Sequence, residues 1–266
     1  MARLPRFPDL LTTANLACGV GSILLASQGQ LTAACWLVFA GALFDVFDGL
    51  AARALGGSSP LGAQLDSLAD MVTFGVAPAF LVFQQGTTLA GNMLIPDIAA
   101  HLPYPNARTP LWPTLTATLT LVIASCWRLA KFNLDTRQTT GFLGLPTPAN
   151  GLLWVSIVMA SAHIAVHPGP GHHELADAAH LLLASPYALL IAALVLAALM
   201  LSELPFPGLK FKHFRWPGNQ VIYLLGSIGA VLVVLYGILA VPLILVLYIL
   251  SPLWGRLFKP QVASDK

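Results

Sequence analysis

The most constraining feature of this sequence is a series of apolar runs, each about as long as a membrane is thick. A helix that crosses the hydrocarbon layer needs about 20 mainly apolar residues. Of the 266 residues, 57% are hydrophobic and 9% are charged, whereas soluble domains carry roughly 25% charged residues. We therefore predict an all-α, polytopic membrane bundle of about eight transmembrane helices. The predicted spans are residues 10–29, 31–54, 61–85, 111–134, 146–167, 181–202, 219–238 and 239–255.

The last two spans come from one continuous apolar segment, residues 219–255, which is too long for a single crossing. We divide it near Gly237 and Pro242, because Gly and Pro interrupt helices. The sequence contains no internal repeat and no low-complexity tract. We therefore expect residues 1–266 to form one integral-membrane domain.

Lys and Arg fall mainly on one side of the predicted bundle. With the N-terminus inside, only Arg108 of the 13 Lys and Arg residues lies outside. This positive-inside pattern predicts cytoplasmic N- and C-termini, in the cytoplasmic (inner) membrane. We interpret the basic segment at residues 210–215 as a lipid contact or anchor, not as a nucleic-acid site. The cytoplasmic set is Arg3, Arg6, Arg53, Arg128, Lys131, Arg137, Lys210, Lys212, Arg215, Arg256, Lys259 and Lys266.

Four aspartates, Asp45, Asp48, Asp66 and Asp70, stand inside or beside two of the apolar runs. An ionised carboxylate in hydrocarbon is costly, so such residues normally face a cavity, a partner or an ion. Arg53 is the only nearby cation in sequence, and one arginine cannot neutralise four carboxylates. The four aspartates therefore predict a site for added positive charge.

The first pair of aspartates shares one helix face with small residues. At about 100° per residue, Asp48 lies roughly 60° from Asp45 on the helical wheel. Gly49, Ala52 and Arg53 lie within about 80° of Asp45 on the same face. Glycine and alanine allow close approach of a flat ligand such as a nucleobase and ribose. Arg53 is a donor suited to phosphate.

The second pair of aspartates lies on a narrower stripe of the following helix. Gly62, Asp66 and Asp70 are spaced by four residues and so lie one above the other. The link at residues 55–60 has the Gly, Ser and Pro content of a tight turn, and Pro60 suits a first helical position. We therefore expect the two helices to be antiparallel neighbours.

In such a hairpin the carboxylates lie at matching depths. Asp48 and Asp66 would each lie about 10 Å from the turn, with Asp45 and Asp70 about one turn deeper. All four would converge in a pocket that opens toward the cytoplasm. Hard oxygen ligands at this density suit Mg²⁺ or Mn²⁺, often as two ions when the substrate is a phosphate.

These residues together resemble the motif of a known family. The sequence fits, without mismatch, the pattern D-x2-D-G-x2-A-R-x8-G-x3-D-x3-D of the CDP-alcohol phosphotransferases. The resemblance implies a helical membrane protein, usually a homodimer, that exchanges CMP on a CDP-linked lipid for an alcohol and uses two divalent cations. The fixed positions of the motif are Asp45, Asp48, Gly49, Ala52, Arg53, Gly62, Asp66 and Asp70.

The resemblance also implies roles for individual residues. Asp45, Asp48 and Asp66 would bind the metal ions, while Asp70 would contact the second ion and act as the general base. Asn15, on the first helix, would contribute to the nucleotide site. The full set of expected CDP-binding residues is Asn15, Asp48, Gly49, Ala52, Arg53, Gly62 and Asp66.

Three further stretches, at residues 10–19, 65–79 and 127–150, resemble the bacterial subgroup whose acceptor is L-serine. They read LLTTANLACG, LDSLADMVTFGVAPA and WRLAKFNLDTRQTTGFLGLPTPAN. Two positions depart from the subgroup: Asp9 stands where Asn is usual, and Lys131 where Arg is common. The resemblance implies a catalytic core at about residues 8–155 and additional transmembrane helices at about residues 156–266.

The same subgroup implies a reaction, which is transfer of the phosphatidyl group from CDP-diacylglycerol to the hydroxyl of L-serine, with release of CMP. Arg128, Lys131 and Asn133 lie at the cytoplasmic end of the fourth predicted helix, where a guanidinium could bind the serine carboxylate. We predict that these three residues bind serine. Simple anchoring of a basic helix end is the alternative for each of them.

Other functions remain open at this point. Another member of the family would use glycerol 3-phosphate or inositol phosphate as its acceptor. An intramembrane prenyltransferase would need a second Asp-rich motif, which the sequence lacks. A cation transporter would distribute its acidic residues along a pathway, whereas here they are concentrated on one predicted hairpin.

Overall fold

The computed structural model describes residues 6–57, 59–92, 110–135, 141–162, 172–207 and 220–254, and nearly all of them are helical. The predicted all-α class is confirmed. The helices are α1 (Phe7–Ser27), α2 (Leu31–Ala54), α3 (Pro60–Asp70), α4 (Ala77–Asn92), α5 (Leu111–Leu134), α6 (Thr147–Ser161), α7 (His172–Ala184), α8 (Pro186–Leu201), α9 (Gln220–Tyr236) and α10 (Ala240–Trp254). Two short strands are β1 (Gly141–Leu143) and β2 (Pro205–Pro207).

Several helical runs are long and apolar enough to cross a membrane. In the described parts of the chain there are five, or six if the bent pair α7 and α8 counts as one broken span. The chain is thus a multi-pass membrane protein, while the count of about eight spans stays a prediction. The predicted spans 31–54 and 111–134 coincide with α2 and α5. The five runs are Phe7–Ser27, Leu31–Ala54, Pro60–Ala90, Leu111–Leu134 and Gln220–Leu253.

The predicted span at residues 181–202 is wrong as a single straight helix. Helix α7 ends at Ala184, Ser185 is extended, and α8 begins at Pro186. The chain bends by 94° at this break. Proline has no N–H group and its ring clashes with the carbonyl of the preceding turn, so α7 cannot continue through Pro186.

The last apolar segment, Gln220–Leu253, folds back on itself although it is helical almost throughout. A Cβ atom on Gly229 would lie 3.5 Å from Cδ1 of Ile244. In a straight helix these residues would be about 22 Å apart. The reversal occurs at Gly237, which has φ +55° and begins a short 3₁₀ turn. The division near Gly237 is therefore confirmed.

A π-helical segment, Met71–Val76, lies between α3 and α4. It follows Asp70 directly. Two glycines allow neighbouring helices to approach this segment closely: a Cβ on Gly19 of α1 would lie 2.8 Å from the Cα of Thr73, and one on Gly151 of α6 would lie 2.5 Å from a backbone carbonyl oxygen. Segments of this kind occur frequently at functional sites.

Strands β1 and β2 pair antiparallel and join the connection after α5 to the connection after α8. The Gly144 N–H donates to the Leu204 carbonyl oxygen at 2.8 Å, and the Leu145 N–H donates to the Leu199 carbonyl oxygen at 3.0 Å. The loop before α6 is therefore fixed to the end of α8. Hydropathy did not predict these strands, because each has only three residues.

Helix α1 packs closely against both α2 and α3, whereas α2 and α3 make few close backbone contacts with each other in the part of the chain that is described. The two helices of the predicted antiparallel hairpin are therefore joined through α1, which lies against both of them. The face that α1 buries is small and polar, as is suitable for close packing. Its buried residues are Pro8, Thr12, Asn15, Gly19, Ser22 and Ala26.

Both chain ends and the basic segment at residues 210–215 lie outside the described residues. The predicted orientation, with cytoplasmic termini, therefore stays a prediction. The division of the chain into a core at about residues 8–155 and additional helices at about residues 156–266 also stays a prediction.

Candidate metal centre

Two glycines end α2 and reverse the chain. The Leu55 N–H donates to the Ala51 carbonyl oxygen at 3.0 Å, and the Gly57 N–H donates to the Ala52 carbonyl oxygen at 2.8 Å. Gly56 and Gly57 have φ values of +91° and +103°. This is the Schellman arrangement, in which a left-handed residue closes the last turn of a helix. Only glycine adopts such φ values readily.

Helix α3 begins with a side-chain cap. The Gly62 N–H donates to Ser59 Oγ at 2.9 Å, which satisfies one of the free N–H groups of the first turn. Pro60 occupies the first helical position, as the sequence predicts. Together the Schellman turn and the cap direct the acidic faces of α2 and α3 toward the same space.

Three of the four aspartates meet in this space. Carboxylate oxygens of Asp45, Asp48 and Asp66 lie within 4.8 Å of one another. Asp66 Oδ1 is buried and has no hydrogen-bond partner among the described residues, although a buried oxygen normally has one. A divalent cation would satisfy this oxygen, and carboxylate ligands are the kind that Mg²⁺ and Mn²⁺ prefer. The predicted convergence is confirmed for these three residues.

Asp70 lies beside this cluster and is only 8% exposed. Asn15 Nδ2 donates to Asp70 Oδ1 at 3.2 Å, and the Asp70 carboxylate interacts electrostatically with Asp45 and Asp66. It is not among the three residues of the described cluster. Its roles as a ligand of a second ion and as a base stay predictions.

A cleft of about 330 Å³ opens beside the cluster. This volume lies near the lower end of the range for small-molecule sites, roughly 300–1,000 Å³. Asp45, Asp70 and Asn15 do not line the cleft, in agreement with a deeper position for Asp45 and Asp70. Six of the predicted CDP-binding residues line it: Asp48, Gly49, Ala52, Arg53, Gly62 and Asp66.

The first turns of α1 form another wall of the cleft, which the motif did not identify. Thr12 Oγ1 donates to Asp48 Oδ2 at 2.7 Å, so α1 touches a predicted metal ligand directly. Arg6 and Asp9 also line the cleft, and the Arg6 N–H donates to Asp9 Oδ2 at 2.8 Å. Asp9 is one of the two departures from the subgroup. Its spacing of three residues from Thr12 was a signal that both share a helix face.

Arg128 is buried and bound to backbone. It is 3% exposed, its Nε donates to the Leu145 carbonyl oxygen at 3.3 Å, and its guanidinium lies 5.5 Å from the centre of the Phe132 ring. A charge–ring contact at this distance is favourable. In the structure Arg128 thus fixes the loop before α6 and does not line the cleft.

The other two predicted serine-binding residues also lie away from the cleft lining. Lys131 Nζ donates to the Leu201 carbonyl oxygen at 3.4 Å and lies 3.9 Å from Glu203 Oε1. Asn133 Nδ2 donates to Ser67 Oγ at 2.9 Å. Ser67 directly follows Asp66 in the chain. Asn133 therefore contacts the neighbour of a cluster residue, whereas the contacts of Lys131 given above are to Leu201 and Glu203.

Comparison with known proteins identifies the family. Residues 6–205 match the sequence profile of the CDP-alcohol phosphatidyltransferases. The chain belongs to the CDP-alcohol phosphatidyltransferase family. Members are transferases and generally depend on divalent metal ions. The match extends past residue 155, where the sequence analysis placed the end of the core.

Three similar proteins are named for the synthesis of serine-containing lipids. The chain is 29% identical to CDP-diacylglycerol–serine O-phosphatidyltransferase of Helicobacter pylori over 255 residues, which is 95% of this chain and 91% of that protein. It is 33% identical to the Bacillus subtilis protein of the same name over 149 residues, 56% of this chain and 72% of that protein. It is 36% identical to archaetidylserine synthase of Methanothermobacter thermautotrophicus over 143 residues, 53% of this chain and 52% of that protein.

Proposed function

We propose that this protein transfers the phosphatidyl group from CDP-diacylglycerol to the hydroxyl of L-serine, releasing CMP and forming phosphatidylserine in phospholipid biosynthesis. The observation that carries the proposal is a cluster of three carboxylates beside a cleft lined by small residues. Relatives named for serine transfer support serine as the acceptor.

The cleft has the chemistry that a nucleoside diphosphate needs. Gly49 and Ala52 leave space along α2: apart from the backbone of the helix and the two neighbouring residues, the one described atom within 4 Å of a Cβ on Gly49 is Nη1 of Arg53, at 3.7 Å. A flat nucleoside could therefore lie against this face, and Arg53 could donate to a phosphate. The acidic cluster would repel a diphosphate unless cations lay between them.

Two divalent cations, Mg²⁺ or Mn²⁺, would supply that charge. Asp45, Asp48 and Asp66 would hold the first, and Asp70 would contribute to a second. When bound, the ions stabilise negative charge that develops on the pyrophosphate and on the departing CMP.

The protein's own residues would bind and orient the substrates and accept a proton from serine. Asp70 would accept the proton of the serine hydroxyl as the serine oxygen forms a bond to the β-phosphorus. The bond between this phosphorus and the oxygen that bridges it to the α-phosphorus would break, and its electron pair would leave with CMP. The phosphorus stays attached to diacylglycerol throughout, so the product remains in the membrane. Arg128, Lys131 and Asn133 are our proposed serine-recognition residues, with Asn133 the best placed through Ser67.

The lipid setting follows from the helical bundle. Diacylglycerol chains would enter between helices from the membrane, while serine and CMP would exchange through the mouth of the cleft near Arg53 and Gly57. The distribution of Lys and Arg supports a cytoplasmic mouth in the inner membrane. The family resemblance supports a homodimer.

The test of the proposed function is CMP release by the purified full-length protein from CDP-diacylglycerol with Mn²⁺ or Mg²⁺. Serine, glycerol 3-phosphate and inositol phosphate are offered in parallel. We expect metal-dependent release with serine alone. Release with another acceptor would contradict serine as the substrate, and no release with any acceptor would favour a cation transporter.

The role of Asp70 has its own test, Asp70→Asn. We expect loss of turnover because the amide cannot accept the serine proton, while CDP-diacylglycerol with Mn²⁺ still raises the thermal midpoint of the variant. Asp177→Asn is the control, since Asp177 is an exposed acid on α7. Unchanged turnover in Asp70→Asn would remove the role of base from this residue.

A further inference from the structure

Asn15 is a fully buried amide on the face of α1 that meets the acidic helices. It is 0% exposed, and its Nδ2 donates to Asp70 Oδ1 at 3.2 Å. Its Oδ1 has no hydrogen-bond partner among the described residues. Burying an amide is costly unless it is hydrogen-bonded. The bond to Asp70 therefore offsets part of the cost of burying the Asn15 side chain.

Neighbouring elements fix the position of this amide. Asn15 Oδ1 faces Gly41 of α2, where a Cβ atom would lie only 3.0 Å from it. Thr73, in the π-helical segment that follows Asp70, donates from Oγ1 to the Asn15 carbonyl oxygen at 3.0 Å. Helices α1 and α2 and the π-helical segment therefore restrict the position of Asn15. Because Asn15 is restricted, its hydrogen bond can in turn restrict the position of the Asp70 carboxylate.

The contact occupies one oxygen of the Asp70 carboxylate. A general base must lie within hydrogen-bond reach of the proton that it accepts, and misplacement by about 1 Å can cost about 100-fold in rate. Because α1 packs against both acidic helices, it can hold a carboxylate of α3 in register with those of α2. Asn15 is one turn along α1 from Thr12, which binds Asp48 in the same way.

We propose that Asn15 is a positioning residue for the transfer reaction. It holds Asp70 by one carboxylate oxygen and so presents the other oxygen to the acceptor hydroxyl. The inference rests on the proposed function and differs from the nucleotide contact that the family resemblance implied for Asn15, because the side chain does not line the cleft.

The test is steady-state kinetics of Asn15→Leu, a variant of nearly the same shape without the amide donor. We expect kcat to fall about 10- to 100-fold, which is the usual cost of removing a hydrogen bond that orients a metal ligand. The KM for CDP-diacylglycerol should stay within about 2-fold of the wild-type value, because nucleotide contacts are intact. Asn15→Asp, which replaces the donor by an acceptor, should lower kcat at least as much.

A matched control separates positioning from packing. Ser22 is also 0% exposed, lies on the same face of α1, and its hydroxyl oxygen lacks a partner among the described residues. Ser22→Ala should keep the wild-type kcat per folded molecule, with the folded fraction measured by size-exclusion chromatography and thermal unfolding in detergent.

Three results would overturn the inference: a wild-type kcat for Asn15→Leu, a loss of activity equal to the loss of folded protein, or a raised KM with unchanged kcat. The last result would restore the nucleotide-binding role. Failure of the proposed function is distinguished by the wild-type protein, which would then release no CMP. In that case the inference about Asn15 would fail with it.

Discussion

The hydroxyl of Thr12 shows how a single residue outside the acidic motif contacts the candidate metal centre. It donates to Asp48 Oδ2 at 2.7 Å and is 4% exposed. A hydrogen bond of this kind orients a metal ligand and fixes which oxygen remains available to the ion. Loss of such contacts typically costs 10- to 100-fold in metal affinity or activity, roughly.

Thr12→Val keeps the shape of the side chain and removes the donor. We expect the Mn²⁺ concentration for half-maximal CMP release to rise about 10-fold. The matched control is Thr13→Val, since Thr13 is exposed and its hydroxyl donates to the Asp9 carbonyl oxygen within the same helix at 2.7 Å. Equal metal dependence in the two variants would show that Thr12 does not orient Asp48.

Gly49→Ala tests whether the small residues of α2 make room for a substrate. The nearest protein atom to the new methyl group would be at 3.7 Å, so the fold should tolerate it and gain about 0.5–1 kcal/mol from replacing a helical glycine. We expect the KM for CDP-diacylglycerol to rise about 10-fold, equivalent to roughly 1.4 kcal/mol of lost binding.

Gly226→Ala is the control for that substitution, because Gly226 is also helical and, outside its own helix backbone, no described atom lies within 4 Å of a Cβ atom there. It should change thermal stability in the same direction and leave the KM alone. An unchanged KM in Gly49→Ala would mean that the nucleotide does not approach this face of α2.

The sequence predicted the acidic residues well because their arrangement is local. Helical periodicity alone places Asp45 near Asp48 and aligns Asp66 with Asp70. Thr12 and Asn15 could not be assigned in the same way. Their partners are 36 and 55 residues away in the chain, and only the packing of α1 against α2 and α3 brings them together.

At the scale of secondary-structure elements, the loop between β1 and α6 is held by contacts from two other helices. Gly144 has φ +79° and lies against the end of α8, where a Cβ atom would be 2.5 Å from the Met200 carbonyl oxygen and 2.7 Å from that of Ser202. Arg128 binds the carbonyl of the next residue, Leu145. The loop therefore joins α5, α6 and α8.

Gly144→Ala should destabilise the protein by about 2–5 kcal/mol, the sum of a left-handed backbone conformation and overpacking. Thermal unfolding in detergent measures the loss. Gly29→Ala is the control, because Gly29 has a similar φ of +77° and, apart from its two chain neighbours, no described atom lies within 4 Å of a Cβ atom there. It should show only the backbone cost, about 1–2 kcal/mol. Equal losses in the two variants would contradict a steric role for Gly144.

Hydropathy predicted the elements where a helix crosses the membrane without interruption. Helices α2 and α5 begin and end as expected, because each is a single apolar run with clear ends. The bend between α7 and α8 was missed, since its cause is the one residue Pro186 within an apolar stretch. The packing of α1 against both α2 and α3 was not predicted, because a motif on two helices does not reveal a third helix that contacts both.

At the scale of the whole molecule, the orientation of the bundle decides which compartment supplies the acceptor. Gly57, in the turn that ends α2, lines the cleft, and the connection at Gln28–Gln30 lies at the opposite ends of α1 and α2. If the cleft faces the cytoplasm, these two connections lie on opposite sides of the membrane.

Single cysteines report this orientation directly. In a variant without Cys18, Cys35 and Cys126, Gln28→Cys should react with a membrane-impermeant maleimide in intact spheroplasts. Leu55→Cys should react only in inverted vesicles, because Leu55 is exposed and lies two residues before Gly57, which lines the cleft. The reverse pattern would place the cleft outside the cytoplasm and contradict the positive-inside assignment.

The π-helical segment Met71–Val76 makes chain length a property of the metal centre. A π-helix closes its hydrogen bonds over one residue more than an α-helix does, so the segment resembles a one-residue insertion absorbed inside a membrane span. Deletion of one residue here would restore α-helical periodicity and rotate α3 against α4 by about 100°. Asp66 and Asp70 would then turn away from α2. The number of residues in this segment, as well as their identity, therefore determines whether the acidic residues of α3 face α2.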